Sequence, residues 1–299
     1  MKALLSPKEL AQAIGVSESS LKRWADGGRV RVSRTAGGHR RITLAEAIRF
    51  VRESRAPVVR PEILGLAEVS LAMREGDAAT AGSLADQLFR YLSEGRAREA
   101  RGLLTAAYLD GESMAAICDG PLRTAMTRLG ELFRHDERGV FIEHRATDIA
   151  IQAVQHLRTL IEVPAGAPVA VGGGIANDPY VLPPLVGALV LEAEGVQTVN
   201  LGPNTPNDAL LRAVEQHRPL LAWLSITAPA SMSWLVDQVG QMAGLLAARR
   251  VRLMVGGQQV DALLDLQGRH ANLTLGRSMS DLVAEVRRAR VAKDAVSAT

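Results

Sequence analysis

The pattern of hydrophobic and polar positions divides the chain of 299 residues into three parts with different periods. Residues 1–56 combine two short helical periods with an alternation of basic and apolar positions, and residues 57–61 form a proline-containing linker. Residues 62–164 are almost entirely helical in period, and breaks at residues 76–77, 95, 110–111 and 138–139 predict a bundle of about four helices. In residues 165–299, short apolar runs alternate with helical stretches, which is typical of a doubly wound parallel sheet. We therefore predict a multidomain α and α/β protein.

Two short helices separated by a turn are predicted at the start of the chain. Ser6 can cap a first helix that runs to Gln12, and Ser17 can cap a second that runs to about Ala25. The first half of the second helix offers polar and basic groups to a nucleic-acid groove, namely Ser19, Ser20, Lys22 and Arg23. This pattern is a helix-turn-helix.

A basic β-hairpin, or wing, is predicted after the second helix. Residues 29–33 alternate basic and apolar positions as a strand does, Gly37 and Gly38 supply a turn, and residues 39–42 begin the return strand. The wing offers four candidate DNA contacts, which are Arg34, His39, Arg40 and Arg41. Arginines at such positions bind phosphates and give affinity rather than sequence preference.

The charge of the chain is distributed unevenly. Residues 1–60 hold 13 Lys and Arg against 5 Asp and Glu, a charge of +8, whereas the remainder holds 22 against 27, a charge of −5. A small basic module joined to a mildly acidic body is typical of a nucleic-acid reader attached to another module.

The N-terminal residues carry a family resemblance. The order of helix-turn-helix, Trp24 and then the segment 33–41 resembles the DNA-binding domain of MerR-type regulators over roughly residues 4–55. The resemblance implies a winged helix-turn-helix that binds a double-stranded DNA operator. Lys22, Arg23 and the neighbouring serines would lie nearest the base edges.

Several classes of protein are disfavoured by composition. The single cysteine, Cys118, excludes an internal disulfide framework and a multi-cysteine zinc site, and we predict that it is a small core residue. The start of the chain reaches Pro7 and charged residues before an apolar signal core could form, and no run of about 18 apolar residues occurs. No nucleophile, base and orienting acid can be picked out as a set. We expect a cytoplasmic protein that neither spans a membrane nor acts as an enzyme.

The α/β part predicts a ligand site at the carboxyl ends of its strands. Five strands are expected, near residues 169–171, 196–201, 220–224, 251–255 and 273–275, in a flavodoxin-like sheet. Ligands of such sheets bind where the strand order reverses, so the loops after the first, third and fourth strands matter most. The glycine run at 172–174 lacks the G-x-G-x-x-G spacing of a dinucleotide site.

Nearly the whole chain resembles the light-sensing, adenosylcobalamin-dependent CarH-type repressors. In the bundle, residues 130–133 and 139–144 resemble the stretch that covers the upper face of the corrin, and its candidate residues are Phe133, Val140, Glu143 and His144. Residues 201–206 resemble the turn after the second strand. The segments that hold the nucleotide tail of cobalamin are matched by Ser225, Thr227, Gly256 and Gly257.

The chain departs from that family at the lower cobalt ligand. The family carries Glu/Asp-x-His-x-x-Gly after the first strand, where the histidine becomes the lower cobalt ligand and the acid orients it. Here Asp178 is kept, Tyr180 replaces histidine and Pro183 replaces glycine. Neutral imidazole binds transition metals at pH 7, whereas a phenol must first lose a proton. We therefore do not expect the usual His-ligated cobalamin, and the candidate metal ligands are Tyr180 and His144. Arg134 stands where light-dependent members have a second histidine.

The predicted function is a transcriptional regulator whose ligand controls self-association and operator binding. The ligand would be cobalamin in another ligation state or another tetrapyrrole, and the assembly a dimer or tetramer that multiplies DNA contacts. Two alternatives remain open: a ligand-independent regulator with an empty, degenerate cobalamin-binding fold, and an antirepressor-like module that binds a regulatory protein. A corrinoid enzyme or carrier is disfavoured by Tyr180 and gains nothing from the basic N-terminal module.

Overall fold

The computed structural model describes residues 4–76, 82–133 and 137–297. The chain forms two compact units, residues 1–162 and 163–299. Among the described residues, no helix combines the length and the apolar character needed to cross a bilayer.

The first unit begins with short helices and a small antiparallel sheet. The helices are α1 (Pro7–Ala13), α2 (Glu18–Asp26) and α3 (Leu44–Ser54), and the strands are β1 (Leu4–Leu5), β2 (Ser33–Arg34) and β3 (Arg40–Thr43). Strand β3 lies between the other two. Ser6 caps α1 in a capping box with Glu9, and Ser17 caps α2. Both helices therefore begin at the predicted caps, because these side chains satisfy backbone N–H groups of the first turn.

The predicted strand over residues 29–33 is wrong for all but Ser33. The backbone N–H of Arg31 donates to Glu46 Oε1 at 2.7 Å, and its guanidinium Nε donates to Oε2 at 2.8 Å. A buried carboxylate on α3 therefore takes the N–H that a sheet partner would have bound. The hairpin turn itself is as predicted, with Gly38 at φ 77°.

The segment predicted as a linker contacts α1. The backbone N–H groups of Val59 and Arg60 both donate to the carbonyl of Ala13, at 2.9 and 3.0 Å. Pro61 is buried and opens a short 3₁₀ turn that ends at Leu64. The boundaries of the domains within this unit stay predictions.

The rest of the first unit is a helical bundle. Its helices are α4 (Ala67–Gly76), α5 (Leu84–Glu94), α6 (Ala97–Leu109), α7 (Met114–Ile117), α8 (Arg123–Phe133) and α9 (Glu137–Arg158). The described residues of this part thus contain six helices where about four were predicted. One of the additional helices arises because a π turn around Pro121 separates the short α7 from α8. Gly139, predicted as a break, lies in the first turn of α9. Helix α6 packs on α4 at Gly102, where a Cβ would overlap the carbonyl of Glu68.

The second unit confirms the predicted five-stranded doubly wound sheet. Its strands β4 (Val169–Gly174), β5 (Gln197–Asn200), β6 (Leu221–Ser225), β7 (Arg252–Gly256) and β8 (Leu273–Gly276) are all parallel, in the order β5-β4-β6-β7-β8. The helices are α10 (Leu182–Ala193), α11 (Asn207–His217), α12 (Met232–Ala247), α13 (Leu264–Gln267) and α14 (Met279–Ser297). The strand order reverses between β4 and β6, which makes their carboxyl ends the expected ligand edge.

Candidate functional site

The second helix of the first unit presents a polar and basic surface. Ser19, Lys22 and Arg23 are exposed on α2, and Ser20 is half-buried. The hydroxyl of Ser17 lies 2.9 Å from those of Ser19 and Ser20, so these groups form one small network at the start of the helix. Lys22 pairs with Glu18 one turn earlier, at 2.8 Å, and a hydrogen bond from Lys22 lowers the pKa of that carboxyl.

The hairpin adds further cations beside α2. Arg34 and His39 are exposed, and Arg41 is half-buried opposite Ser33 in the β2–β3 pair. Arg40 donates to Asp26 Oδ1 at 2.5 Å, so its guanidinium ties the hairpin to the end of α2. The structure therefore brings the predicted DNA-contacting residues to one region, with Arg40 already engaged by an acid.

Sequence reasoning missed Arg29 as part of this surface. Its exposed guanidinium lies 5.6 Å from the centroid of the Trp24 ring. Trp24 in turn packs against Phe50, with ring centroids 5.4 Å apart and ring planes tilted by 42°. The alternation of basic and apolar residues over 29–33 predicted a strand, and a strand gave no reason to place Arg29 beside Trp24. The aromatic pair holds the end of α2 against α3.

In the bundle, three of the predicted cofactor residues share one face of α9. Val140, Glu143 and His144 follow the i, i+3, i+4 spacing of a helix face. Val140 and His144 are exposed, and His144 Nε2 lies 3.9 Å from Glu143 Oε2. Phe133 is the last residue of α8, but its side chain and the whole of Arg134 lie outside the described residues.

In the second unit, Asp178 joins the loops that follow β4 and β6. The carboxylate is buried; Oδ2 accepts from the backbone N–H groups of Thr227 and Ala228, at 2.5 and 3.3 Å, and Oδ1 accepts from that of Tyr180, at 3.1 Å. Tyr180 itself is 45% exposed. All three hydrogen bonds come from backbone N–H groups, so this carboxylate ties the two loops together.

The residues matched to the segments that hold the nucleotide tail lie at the same edge of the sheet. Ser225 ends β6, and Ile226 donates its N–H to the carbonyl of Gly256 at 2.8 Å. Gly257 has φ 116°, and a Cβ there would overlap the backbone of Ile226, so only glycine fits this approach. The structure thus places the loops after β4, β6 and β7 side by side.

A cavity of about 170 Å³ lies at this edge, lined by residues 175–178 and 228–231 with Trp234 and Leu235. Cavities that enclose drug-sized ligands have about 300–1,000 Å³. A tetrapyrrole therefore does not fit inside it. Tyr180, Val181 and Met232, which follow the lining segments in sequence, are exposed.

The donor set at this edge does not fit cobalamin in its usual His-ligated state. Position 180 offers an exposed phenol in place of the imidazole, and the nearby carboxylate of Asp178 already accepts three backbone N–H groups. Among the described residues, no group of three or more His, Cys, Asp or Glu side chains is arranged to hold a metal ion. Metal ligation by Tyr180 or His144 stays a prediction.

Comparison with known proteins supports a cobalamin-binding module. Residues 84–158, which span α5 to α9, match the family model described as the B12 binding domain. This match confirms the prediction of a cobalamin-binding domain in the chain and supports cobalamin as its class of ligand. No curated protein matches the chain.

Three solved structures are similar to the chain. The monomethylamine corrinoid protein of Methanosarcina barkeri has a TM-score of 0.50 and 18% identity, covering 71% of this chain and 98% of that one. A novel cobalamin-binding protein from Desulfitobacterium hafniense DCB-2 has a TM-score of 0.37 and 17% identity, covering 69% and 98%. A methanol:cobalamin methyltransferase complex from Methanosarcina barkeri has a TM-score of 0.35 and 19% identity, covering 72% and 80%. The first shows a shared fold of helices and parallel sheet.

Proposed function

We propose that the chain is a DNA-binding transcriptional regulator whose cobalamin-binding-type module senses a ligand and thereby controls self-association and operator binding. One observation carries the proposal: the exposed basic surface of α2 and the hairpin belongs to the same compact unit as the segment that matches the B12 binding domain. A basic surface suited to DNA and a segment that matches a ligand-binding family thus belong to the same unit.

The reader works as a winged helix-turn-helix of the MerR type. Helix α2 enters the major groove with Ser19, Ser20, Lys22 and Arg23 nearest the bases, and the wing lies along the DNA backbone. Arg34 and Arg41 contact phosphates, and Arg40 holds the wing to Asp26. One reader of this size makes few phosphate contacts, so tight binding requires a pair joined through the body.

The ligand is a tetrapyrrole in a ligation state other than the usual His-ligated one. Each unit offers groups for such a ring on its own surface. Val140 and His144 of α9 are exposed in the first unit, and the phenol of Tyr180 is exposed in the second. Occupancy changes how copies associate into dimers or tetramers, and the number of phosphate contacts changes with them. The chain itself carries out no catalysis on this proposal.

Fluorescence anisotropy with the full-length protein tests DNA binding. A site is first selected from a random duplex library and then titrated over a range of salt. We expect Arg34→Ala to weaken binding to all sequences. It should also reduce the slope of log affinity against log salt concentration by about 1, because one phosphate contact is lost. Arg23→Ala is expected to cost about 1–3 kcal/mol and relax the preference at one base pair.

Arg269→Ala serves as the matched control, because Arg269 is an exposed arginine of the second unit. Equal effects of Arg34→Ala and Arg269→Ala on DNA affinity would reject the proposal that the N-terminal module binds DNA. If the whole chain ignores DNA while it captures a regulatory protein, the antirepressor-like alternative replaces this proposal.

A further inference from the structure

One tryptophan fills a slot between the sheet and α10 in the second unit. Trp223 lies on β6 and is 3% exposed. Its neighbour on β4 is Gly172, where a Cβ would overlap the indole, and a Cβ at Gly187 of α10 would lie 3.0 Å from Nε1. Two glycines from different elements thus leave room for one bicyclic ring.

Polar atoms in this slot lack partners. Trp223 Nε1 and Ser225 Oγ are both buried without a hydrogen-bond partner among the described residues. They lie on the same face of β6, because alternate residues of a strand point to the same side. A buried indole N–H usually finds an acceptor, so shape rather than hydrogen bonding accounts for the ring at this position.

The slot continues inward from the ligand edge. Ser225 is the last residue of β6 and pairs with Gly174, whose added Cβ would lie 3.6 Å from the serine hydroxyl. Ser225 is also one of the residues matched to the tail-holding segments of cobalamin-binding domains. A nucleotide tail that entered past Ser225 would therefore meet the indole of Trp223.

We propose that Trp223 is a built-in occupant of the nucleotide-tail channel, so that the second unit binds a tetrapyrrole ring without its tail inserted. The indole takes the place of the bicyclic base that ends the tail. The inference rests on the proposed function only for the claim that a tetrapyrrole ring binds. The packing of Trp223 against Gly172 and Gly187 lies within the second unit and does not depend on a ligand. It follows that a corrinoid with a nucleotide tail and one without it bind equally well.

The first test replaces the indole and offers the missing base in solution. Trp223→Ala leaves an enclosed cavity, and such apolar cavities bind small aromatic molecules. We expect 5,6-dimethylbenzimidazole to raise the midpoint of thermal unfolding of Trp223→Ala and to leave the wild type unchanged. Trp234→Ala, at a half-buried tryptophan on α12, is the matched control and should not respond. Trp223→Phe provides a milder variant if the alanine variant does not fold.

The second test compares cobalamin with cobinamide, which lacks the nucleotide base, by equilibrium dialysis with the full chain. The wild type is expected to bind the two with affinities within about twofold, whereas Trp223→Ala should favour cobalamin by about tenfold. A wild type that prefers cobalamin tenfold would overturn the inference, as would a Trp223→Ala variant that ignores dimethylbenzimidazole. A wild type that binds neither corrinoid rejects the ligand part of the proposed function, and the dimethylbenzimidazole test then decides the role of Trp223.

Discussion

The guanidinium of Arg52 lies 3.7 Å from the centroid of the Tyr108 ring and so joins α3 to the end of α6. Arg52 also donates to the carbonyls of Tyr108 and Glu112, the latter at 3.0 Å. A cation at this position satisfies carbonyls at a helix C-terminus and is favoured by the helix dipole. Burial lowers the pKa of Arg52 and raises that of Tyr108. This stack packs the proposed DNA reader onto the helices that match the B12 binding domain.

Arg52→Ala is predicted to lower the free energy of unfolding of the first unit by about 2–4 kcal/mol, because a stacked cation and its hydrogen bonds are lost together. Arg52→Lys should recover only part of this, since an ammonium lacks the planar fork. Urea denaturation followed by circular dichroism measures the change. Arg98→Ala, at an exposed arginine of α6, is the control. A loss no larger than that of the control would show that the stack contributes nothing.

A second prediction concerns acid stability and Glu46. Burial alone would raise the pKa of Glu46, but hydrogen bonds from Arg49 and Arg31 outweigh it and lower the pKa below its usual range. A lowered pKa contributes stability above the unfolded value of about 4.3, and that stability is lost as the pH falls through the folded value. Glu46→Gln should therefore cost about 2–4 kcal/mol at pH 7 and much less near pH 3. Urea titrations at both pH values decide this; a cost independent of pH would contradict the assignment.

The local signals of the sequence were enough for most of the fold. The strands of the second unit were predicted because each is an apolar run bounded by turn residues, and the caps at Ser6 and Ser17 are visible from their neighbours alone. The strand predicted over residues 29–33 failed because Glu46, 15 residues beyond Arg31, takes its backbone N–H. Nothing in the local pattern at Arg31 indicates that acceptor.

The candidate site was less predictable, because its contacts also join residues that are distant in sequence. Asp178 matches the acid that orients the ligand in the resembled family, but nothing near it in sequence indicates that backbone groups of a loop 49 and 50 residues away donate to it. Trp223 reads in sequence as one more apolar strand residue, because the glycines that accommodate it lie on β4 and α10. Such features depend on which elements the fold brings together.

Asp178→Asn tests the structural role of the carboxylate. The amide nitrogen cannot accept, so the backbone N–H groups of Thr227 and Ala228 would compete for one oxygen with that of Tyr180. We expect the free energy of unfolding of the second unit to fall by about 1–3 kcal/mol. Asp265→Asn, at an exposed acid, is the control for denaturation of the unit. Unchanged stability would show that these hydrogen bonds do not stabilise the second unit.

Cys118 is predicted to be unreactive in the folded chain. Burial raises the pKa of its thiol to about 12, and the thiolate is the reactive form. Labelling with a thiol reagent at pH 8 should therefore proceed only through unfolding of the bundle, slower than in the urea-denatured chain by about a thousandfold or more. Rapid labelling of the native protein would show that the bundle around α7 opens readily.

The most direct test of the account measures operator affinity before and after ligand loading. The full-length protein is incubated with hydroxocobalamin, cobinamide or haem, desalted, and titrated with its selected operator, while sedimentation velocity follows its assembly. We predict that a retained ring ligand changes the operator Kd by about fivefold or more together with the sedimentation coefficient. A retained ligand that leaves both quantities unchanged would contradict the coupling of reader and module in one regulator.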